Sequence, residues 1–355
     1  MAESSRVPAV WPGQVGPRRH LGLALRFGLA AAGLALFTYL VAVSGVSLPQ
    51  LQRLGWKSAV LLLAISSGVI LVDTLAWAYA MRSVVRPPLH RLVGLRIAGD
   101  ALTNAVPGGV ALGEAYKALQ LKAGYAVSWT EITVALVGVK FGLALSQALF
   151  VLAGLLLVYP LLRDRSHELF GFGGAQHLAL GITLATGLAL VLFLSLLHRG
   201  GSISGLAALA GRLPVPRVRS WLGREQARIA LLEQQLAPAL HGHRTYFAHT
   251  LGYLMLGWLL GVAETWVLLD RLGLDPTLDM AFAIESVGSL FRLVFFMAPS
   301  GIGGQDASFF ALFRLYGLPE AAIGTFIVAK RLKELAWIGA GFALIAHFRS
   351  RMGVG

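Results

Sequence analysis

Several stretches of this chain run for about 20 residues with at most one charged side chain. Residues 58–81 (SAVLLLAISSGVILVDTLAWAYAM) contain only Asp73, and residues 246–269 contain only Glu264. A helix needs about 20 apolar residues to cross the hydrocarbon core of a bilayer. Backbone N–H and C=O groups find no water there, so a spanning segment must satisfy them internally. These runs predict an all-α fold, a polytopic membrane helix bundle.

The overall composition agrees with a membrane protein. Charged residues make up 13% of the chain and hydrophobic residues 56%, with a mean hydropathy of +0.71; a soluble domain carries about 25% charged residues. The net charge of +13 is assigned to the positive-inside bias of membrane proteins. No nucleic-acid partner is expected, because bases and aromatics do not interleave on any loop.

The sequence contains no signature of an enzyme or of a metal site. The chain has no cysteine, which excludes disulfides, thiolate metal ligands and a cysteine nucleophile. It has no P-loop, nucleophile elbow or HExxH motif. We therefore expect no catalytic residue, no metal and no cofactor.

Charge and hydropathy divide the chain into five regions, in which six spanning helices are expected. Residues 1–20 are predicted to be a disordered cytoplasmic tail and residues 349–355 a second cytoplasmic tail. Residues 199–244 form an arginine-rich cytoplasmic loop with a helical pattern, either an interfacial helix on anionic lipid or a plain connecting helix. The two transmembrane halves are residues 21–198, with a re-entrant segment at 91–124, and residues 245–348, with a re-entrant segment at 279–317.

One short pattern occurs in both halves. PGGVALGEA (107–115) and PSGIGGQDA (299–307) each begin with Pro, place Gly two residues later, and carry an acid seven residues after the Pro. Weak repeats interrupted by Gly and Pro at matching positions are typical of transporter binding sites. Three predicted spans separate the copies, so the second copy is expected to be inverted. The basic segments then place both chain termini in the cytoplasm.

Basic residues inside predicted helices are the leading candidates for a polar cavity. A cation within a spanning helix costs about 2.5–3.5 kcal/mol on insertion scales, so it should face an acid or water. The expected substrate-binding residues are Lys140, Lys330, Arg331 and Lys333, followed by Arg292, Arg96 and Lys117. Asp100, Glu264 and Glu285 are candidate counter-charges, whereas Asp73 and Glu131 are assigned structural or interfacial roles.

The two breaks themselves are predicted to act as gates. Their residues are Pro107, Gly109, Glu114, Pro299, Gly301, Gly304 and Asp306. Glu114 and Asp306 each lie in the first turn of a half-helix, where a carboxylate caps the helix and complements its dipole. A capping role and a gating role both remain open for these two acids.

Together the paired breaks, the PSGIGGQDASFF stretch, the basic helix after it and the six-span layout resemble the transmembrane-region family of lysylphosphatidylglycerol synthases. Within it, the chain looks closest to stand-alone bacterial members associated with hopanoid biosynthesis. The resemblance implies a multi-pass protein of the bacterial inner membrane that translocates lipid. Pro107, Gly109, Glu114, Pro299, Gly301, Gly304 and Arg331 fall on the family's motif positions.

Two departures from the family pattern matter. Gln305-Asp306 stands where the family usually has a Glu after the second break, which puts a strict role for Glu in doubt. The soluble aminoacyl-transfer domain is not seen, so the chain is not expected to make lysyl-lipid itself.

The leading functional hypothesis is a flippase-like lipid translocator, with a headgroup that is anionic at least in part passing between the inverted halves. The expected partners are membrane lipids, with lipid-biosynthesis enzymes and further copies of this chain as additional candidates. A proton-coupled transporter of a soluble anion is the second hypothesis. A membrane enzyme or a non-catalytic subunit of a lipid-modifying complex is the third.

Overall fold

A computed structural model of the chain describes residues 31–43, 48–170, 177–188 and 244–351, apart from residues 33, 83, 178 and 179. These residues form helices and no strands, which confirms the all-α class. Predictions for the first tail, for most of the arginine-rich loop and for the end of the span at 177–197 lie outside the described residues. At the other end of the chain the last helix continues to Arg351, into the segment predicted to be a tail.

The described helices are numbered here in chain order. They are α1 (Leu34–Val43), α2 (Leu48–Ala80), α3 (Leu89–Ala105), α4 (Val110–Gly124), α5 (Trp129–Phe170), α6 (Arg244–Arg271), α7 (Leu278–Val294), α8 (Gly304–Leu315) and α9 (Glu320–Arg351). Residues 180–188 are also helical. A single turn of 3-10 helix, Pro299–Gly301, lies between α7 and α8.

Three of the described helices contain a segment long and apolar enough to cross a membrane: Leu54–Ala80, Glu131–Arg165 and Thr245–Arg271. Helices α2 and α6 are antiparallel, since Arg82 at the end of α2 stacks on Tyr246 at the start of α6. Helix α9 has 32 residues and is therefore also of membrane length, but it carries a group of charged side chains at its centre.

Local sequence signals account for where α2 bends and where α5 begins. Gly55 has a φ of +64°, which interrupts α2 near its start and which glycine adopts without a steric cost. Ser128 and Glu131 form the reciprocal capping box expected from the sequence: the Ser128 N–H donates to Glu131 Oε2 at 2.7 Å, and the Glu131 N–H donates to Ser128 Oγ at 3.2 Å.

Two helical hairpins replace full spans at the predicted re-entrant segments. Helices α3 and α4 form the first hairpin, and α7 and α8 form the second. At 1.5 Å per residue, helices of 12 to 17 residues are about 18–26 Å long, shorter than the roughly 30 Å hydrocarbon core. The hairpins therefore enter the bundle and turn back within it.

Each hairpin packs into its own apolar cluster. The first hairpin contributes Leu92, Leu95 and Leu121 to a cluster with Trp77 and Ile132. The second contributes Ile284, Phe309 and Phe313 to a larger cluster with Phe150 and Phe326. In a bilayer such clusters are stabilised by van der Waals packing, because lipid tails are as apolar as these side chains. The hairpins are thus held firmly at their flanks, and polar side chains occupy the space between the two clusters.

Candidate functional site

Glycine and proline build the tip of the second hairpin. Pro299 opens the 3-10 turn, and Ser300, Gly301 and Gly303 all have positive φ values of 51°, 64° and 81°. Helix α8 then starts at Gly304, and the Asp306 carboxylate accepts a hydrogen bond from the Gly303 N–H at 2.8 Å. The break therefore restarts as a helix in which the acid at the third position accepts from the N–H of the N-cap residue, Gly303.

The tip of the first hairpin depends on close backbone approach. Gly108 has a φ of +66°, and the Gly109 N–H donates to the Val106 carbonyl at 2.8 Å. A Cβ on Gly109 would lie 2.3 Å from the Leu102 carbonyl oxygen, and one on Gly113 would lie 2.3 Å from the Gly99 carbonyl oxygen. Side chains are excluded at these two positions because α3 and α4 run too close together.

The two tips touch each other. The Gly108 N–H donates to the Met297 carbonyl at 3.2 Å, across the boundary between the two halves. The hairpins reach this point from opposite ends of α9. Gly94, early in the first hairpin, faces the Phe348 ring near the end of α9, whereas Arg314, late in the second hairpin, pairs with Glu320 at its start.

A first charge cluster surrounds the first hairpin. It consists of three bases and three acids: Arg96, Lys117, Lys140, Asp73, Asp100 and Glu114. Arg96 bridges Asp73 on α2 at 2.8 Å and Asp100 on its own helix at 3.2 Å. The capping position expected for Glu114 was wrong, because this acid is the fifth residue of α4 and lies outside its first turn. Its Oε1 accepts instead from Lys117 at 2.8 Å and from Lys140 at 2.6 Å. The cluster thus joins α2, α3, α4 and α5.

A second charge cluster surrounds the second hairpin. It consists of four bases and four acids: Arg292, Lys330, Arg331, Lys333, Glu264, Glu285, Asp306 and Glu334. Lys330 pairs with Glu285 at 2.6 Å and also donates to Thr265 Oγ1 at 2.9 Å. Lys333 pairs with Glu264 on α6 at 2.5 Å. Both lysines of α9 are therefore directed at acids on other helices.

Arg331 holds the second tip in place. Its Nε and Nη2 both donate to Asp306 Oδ1, at 3.0 and 2.7 Å, and its Nη1 donates to the Ser300 carbonyl at 3.1 Å. Nη1 also pairs at 2.6 Å with Glu334, which in turn accepts from Arg292. The Asp306 side chain is only 1% exposed. Arg331 and Asp306 are accordingly tied to the hairpin itself.

A cavity of about 350 Å³ lies between the two clusters. Of the predicted bases, Arg96, Arg292, Lys330 and Lys333 are in its wall. Lys117, Lys140 and Glu114 line a smaller adjoining cavity of about 40 Å³, which shares Arg96 and Asp100 with the larger one. Arg331 and Asp306 are in neither wall. The charged residues predicted for the site thus form two groups: those that line a cavity, and Arg331 and Asp306, which hold the tip of the second hairpin.

Several wall residues were missed in the sequence or given another role. Asp73, assigned a structural or interfacial role from the sequence, lies in the cavity wall and pairs with Arg96. Trp337 also lines the cavity and donates from Nε1 to Ser66 Oγ at 2.9 Å. No local pattern distinguishes a cavity serine or tryptophan from others in an apolar helix. Within the described part of the chain, no group of histidines and acids is arranged to hold a metal ion.

Membrane-length apolar helices around a buried, ion-paired polar cavity define an integral membrane protein. The family model of the lysylphosphatidylglycerol synthase TM region matches residues 23–340, and the chain belongs to this family. No curated protein and no solved structure matches the chain.

Proposed function

We propose that this protein moves a polar-headgroup lipid between the two leaflets of a membrane. In this proposal the headgroup occupies the cavity between the charge clusters, and a lipid tail remains in apolar surroundings. Membership of a family named for lipid synthesis supports a lipid ligand. The chain itself performs no covalent chemistry in this proposal.

One observation carries the proposal: Lys333 lies in the wall of two different cavities. One is the polar cavity of about 350 Å³. The other is an apolar groove of about 290 Å³ between α2 and α9, lined by residues such as Leu62, Leu63 and Leu332. A polar space and an apolar space that meet at one lysine suit an amphipathic ligand, with the charged group on one side of Lys333 and the hydrocarbon on the other.

The two hairpin tips supply the gating element of the proposal. They meet at the Gly108–Met297 hydrogen bond, and they enter from opposite ends of α9. If one hairpin moved away while the other stayed in place, the cavity would open only toward the end of the bundle from which the moving hairpin enters. Inverted repeats around a central site are expected to alternate between these two open states, with one hairpin moving in each. We also propose a bacterial inner-membrane location with cytoplasmic termini, on the basis of the arginine-rich segments.

Blocking the groove tests the proposal directly. Ala336 lines the groove, and Ala340 lies one turn further along α9, is also exposed and is in neither wall. Purified wild-type protein in liposomes is expected to accelerate movement of tail-labelled lipids between leaflets. Ala336→Trp should slow this movement by about tenfold or more, equivalent to about 1.4 kcal/mol in the barrier, whereas Ala340→Trp should leave it unchanged.

The same liposomes distinguish the remaining hypotheses. No acceleration by the wild-type protein over empty vesicles, across several headgroups, would overturn the proposal. Uptake of a water-soluble anion driven by a pH gradient, with equal rates in both tryptophan variants, would favour the soluble-anion transporter instead. An accessory role in a lipid-modifying complex predicts a co-purifying enzyme and no transport by the isolated chain.

A further inference from the structure

The cavity between the charge clusters carries no excess of positive charge. The first cluster has three bases and three acids, and the second has four of each, so each is neutral when all the groups are ionised. Of these residues, five acids and only four bases line the larger cavity. The excess acid is balanced by two bases that lie outside this wall: Lys117 pairs with Asp100, and Arg331 pairs with Glu334. A wall of this kind differs from the cation-lined chamber that a purely anionic ligand needs.

Every base of the two clusters is already engaged by a carboxylate within 3.9 Å. A phosphate that enters alone adds a negative charge to a balanced cluster, because each base already offsets an acid. An acid whose base turns to the phosphate keeps at most a shared base, as Glu264 keeps Lys330 at 3.9 Å, and the cluster then carries one uncompensated negative charge. Removing one member of a buried ion pair is strongly unfavourable for this reason.

We infer that the headgroup this cavity accepts is zwitterionic, carrying one phosphate and one ammonium group. This inference rests on the proposed function and names the substrate class of the same site. A zwitterion enters between the two members of a pair, its phosphate binding the base and its ammonium binding the acid. Each charge exchanges one partner for another, and none is left unpaired.

Lys333 and Glu264 are the pair that the geometry favours for this exchange. Their atoms are 2.5 Å apart, both side chains line the polar cavity, and Lys333 also borders the apolar groove. A phosphate bound at Lys333 lies next to the groove that receives the tail, as the order of groups in a phospholipid requires. The ammonium then lies deeper in the cavity, toward Glu264, which is almost fully buried.

The test compares three probe lipids with identical labelled tails in the liposome assay. The headgroups are phosphoethanolamine, which is zwitterionic, phosphoglycerol, which is anionic, and ethyl-phosphocholine, which is cationic. We expect wild-type protein to move the zwitterionic probe about tenfold faster than either of the others. Equal rates for all three, or a preference for the anionic probe, would overturn the inference while leaving lipid translocation in place.

Charge variants provide a second test. The quantity compared is the rate for the anionic probe divided by the rate for the cationic probe, which does not depend on the amount of active protein. Glu264→Gln removes an acid and should shift the anionic-to-cationic rate ratio upward by about tenfold. Lys333→Gln removes a base and should shift it downward by a similar factor. The double variant restores neutrality and should return the ratio to the wild-type value.

The outcomes separate this inference from the proposed function. If one single variant misfolds and moves no lipid, the rate ratios of the other single variant and of the double variant still test the inference. Ratios that do not respond to any variant overturn the inference alone. Absence of movement for all three probes with wild-type protein overturns lipid translocation, and the inference with it.

Discussion

The buried pair between Arg331 and Asp306 is the contact on which the second tip depends most. Asp306 Oδ1 accepts two hydrogen bonds from the guanidinium, and its Oδ2 accepts one from the Gly303 N–H. The side chains are 9% and 1% exposed. Asp306→Asn retains the shape of the side chain and removes its charge, so it measures the ion pair with little change in packing.

The cost of this substitution follows from what remains around Arg331. Removing one partner of a buried pair costs about 3–5 kcal/mol. Arg331 keeps Glu334 at 2.6 Å, which places Asp306→Asn at the lower end, about 3 kcal/mol. Arg331→Met also removes the donor to the Ser300 carbonyl and leaves Asp306 charged with only the Gly303 N–H. It should therefore cost more, about 5 kcal/mol.

Thermal unfolding in detergent, followed by circular dichroism, measures these differences. For a chain of 355 residues a change of 1 kcal/mol shifts the Tm by about 1–2 °C, so Asp306→Asn should lower the Tm by about 3–6 °C. The exposed pair between Arg314 and Glu320 provides the control, with side chains 51% and 49% exposed. Glu320→Gln should cost less than about 1 kcal/mol.

The decisive result is the order of the variants by their Tm values. A Tm for Asp306→Asn within about 2 °C of wild type, or a larger loss for Glu320→Gln, would refute the reasoning. Replacing both partners, as in Asp306→Leu with Arg331→Met, should be less destabilising than Arg331→Met alone, because no unpaired charge is left. An equal or greater loss in the double variant would show that packing, rather than charge, holds the tip.

Two further predictions test the tips and their orientation. Gly301→Ala should lower stability by about 1–2 kcal/mol because residue 301 has a φ of +64°, whereas Gly339→Ala, in open space within α9, should be neutral or stabilising; equal Tm values would contradict this. The chain has no cysteine, so His90→Cys and Leu278→Cys, at the entries of the two hairpins, introduce single reactive sites. A membrane-impermeant maleimide should label them from opposite faces of sealed vesicles, and labelling from the same face would overturn the inverted arrangement.

The elements that could be read from the sequence are those set by local chemistry. The two breaks, the acid that follows each of them and the capping box at Ser128 depend on residues within a few positions of one another. The hairpins begin and end within two residues of the predicted re-entrant segments, at Leu89–Gly124 and Leu278–Leu315. The counter-charges proposed from the sequence, Asp100, Glu264 and Glu285, each pair with one of the predicted bases.

The partners of these charges depend on packing, which the sequence does not encode locally. Arg331 binds the acid of the second tip, as Lys140 binds Glu114 at the first. An α-helix turns by about 100° per residue, so side chains two positions apart point about 200° apart around the helix axis. Arg331 and Lys333 therefore face different neighbours. Lys333 instead reaches Glu264 across 69 positions of the chain. A contact of this separation appears only once α6 and α9 are packed side by side.

The neutrality of the clusters connects the stability of the bundle with its proposed activity. Charged groups are costly inside a membrane unless they are paired, so seven bases within the bundle require compensating acids for the protein to fold. The same pairs join different helices: Glu334 on α9 binds Arg292 on α7, and Glu114 on α4 binds Lys140 on α5. Movement of either hairpin must therefore break ion pairs, and a ligand that supplies both charges lowers that cost. In a translocator built this way, the headgroup that best replaces the internal pairs is also the one that opens the gate.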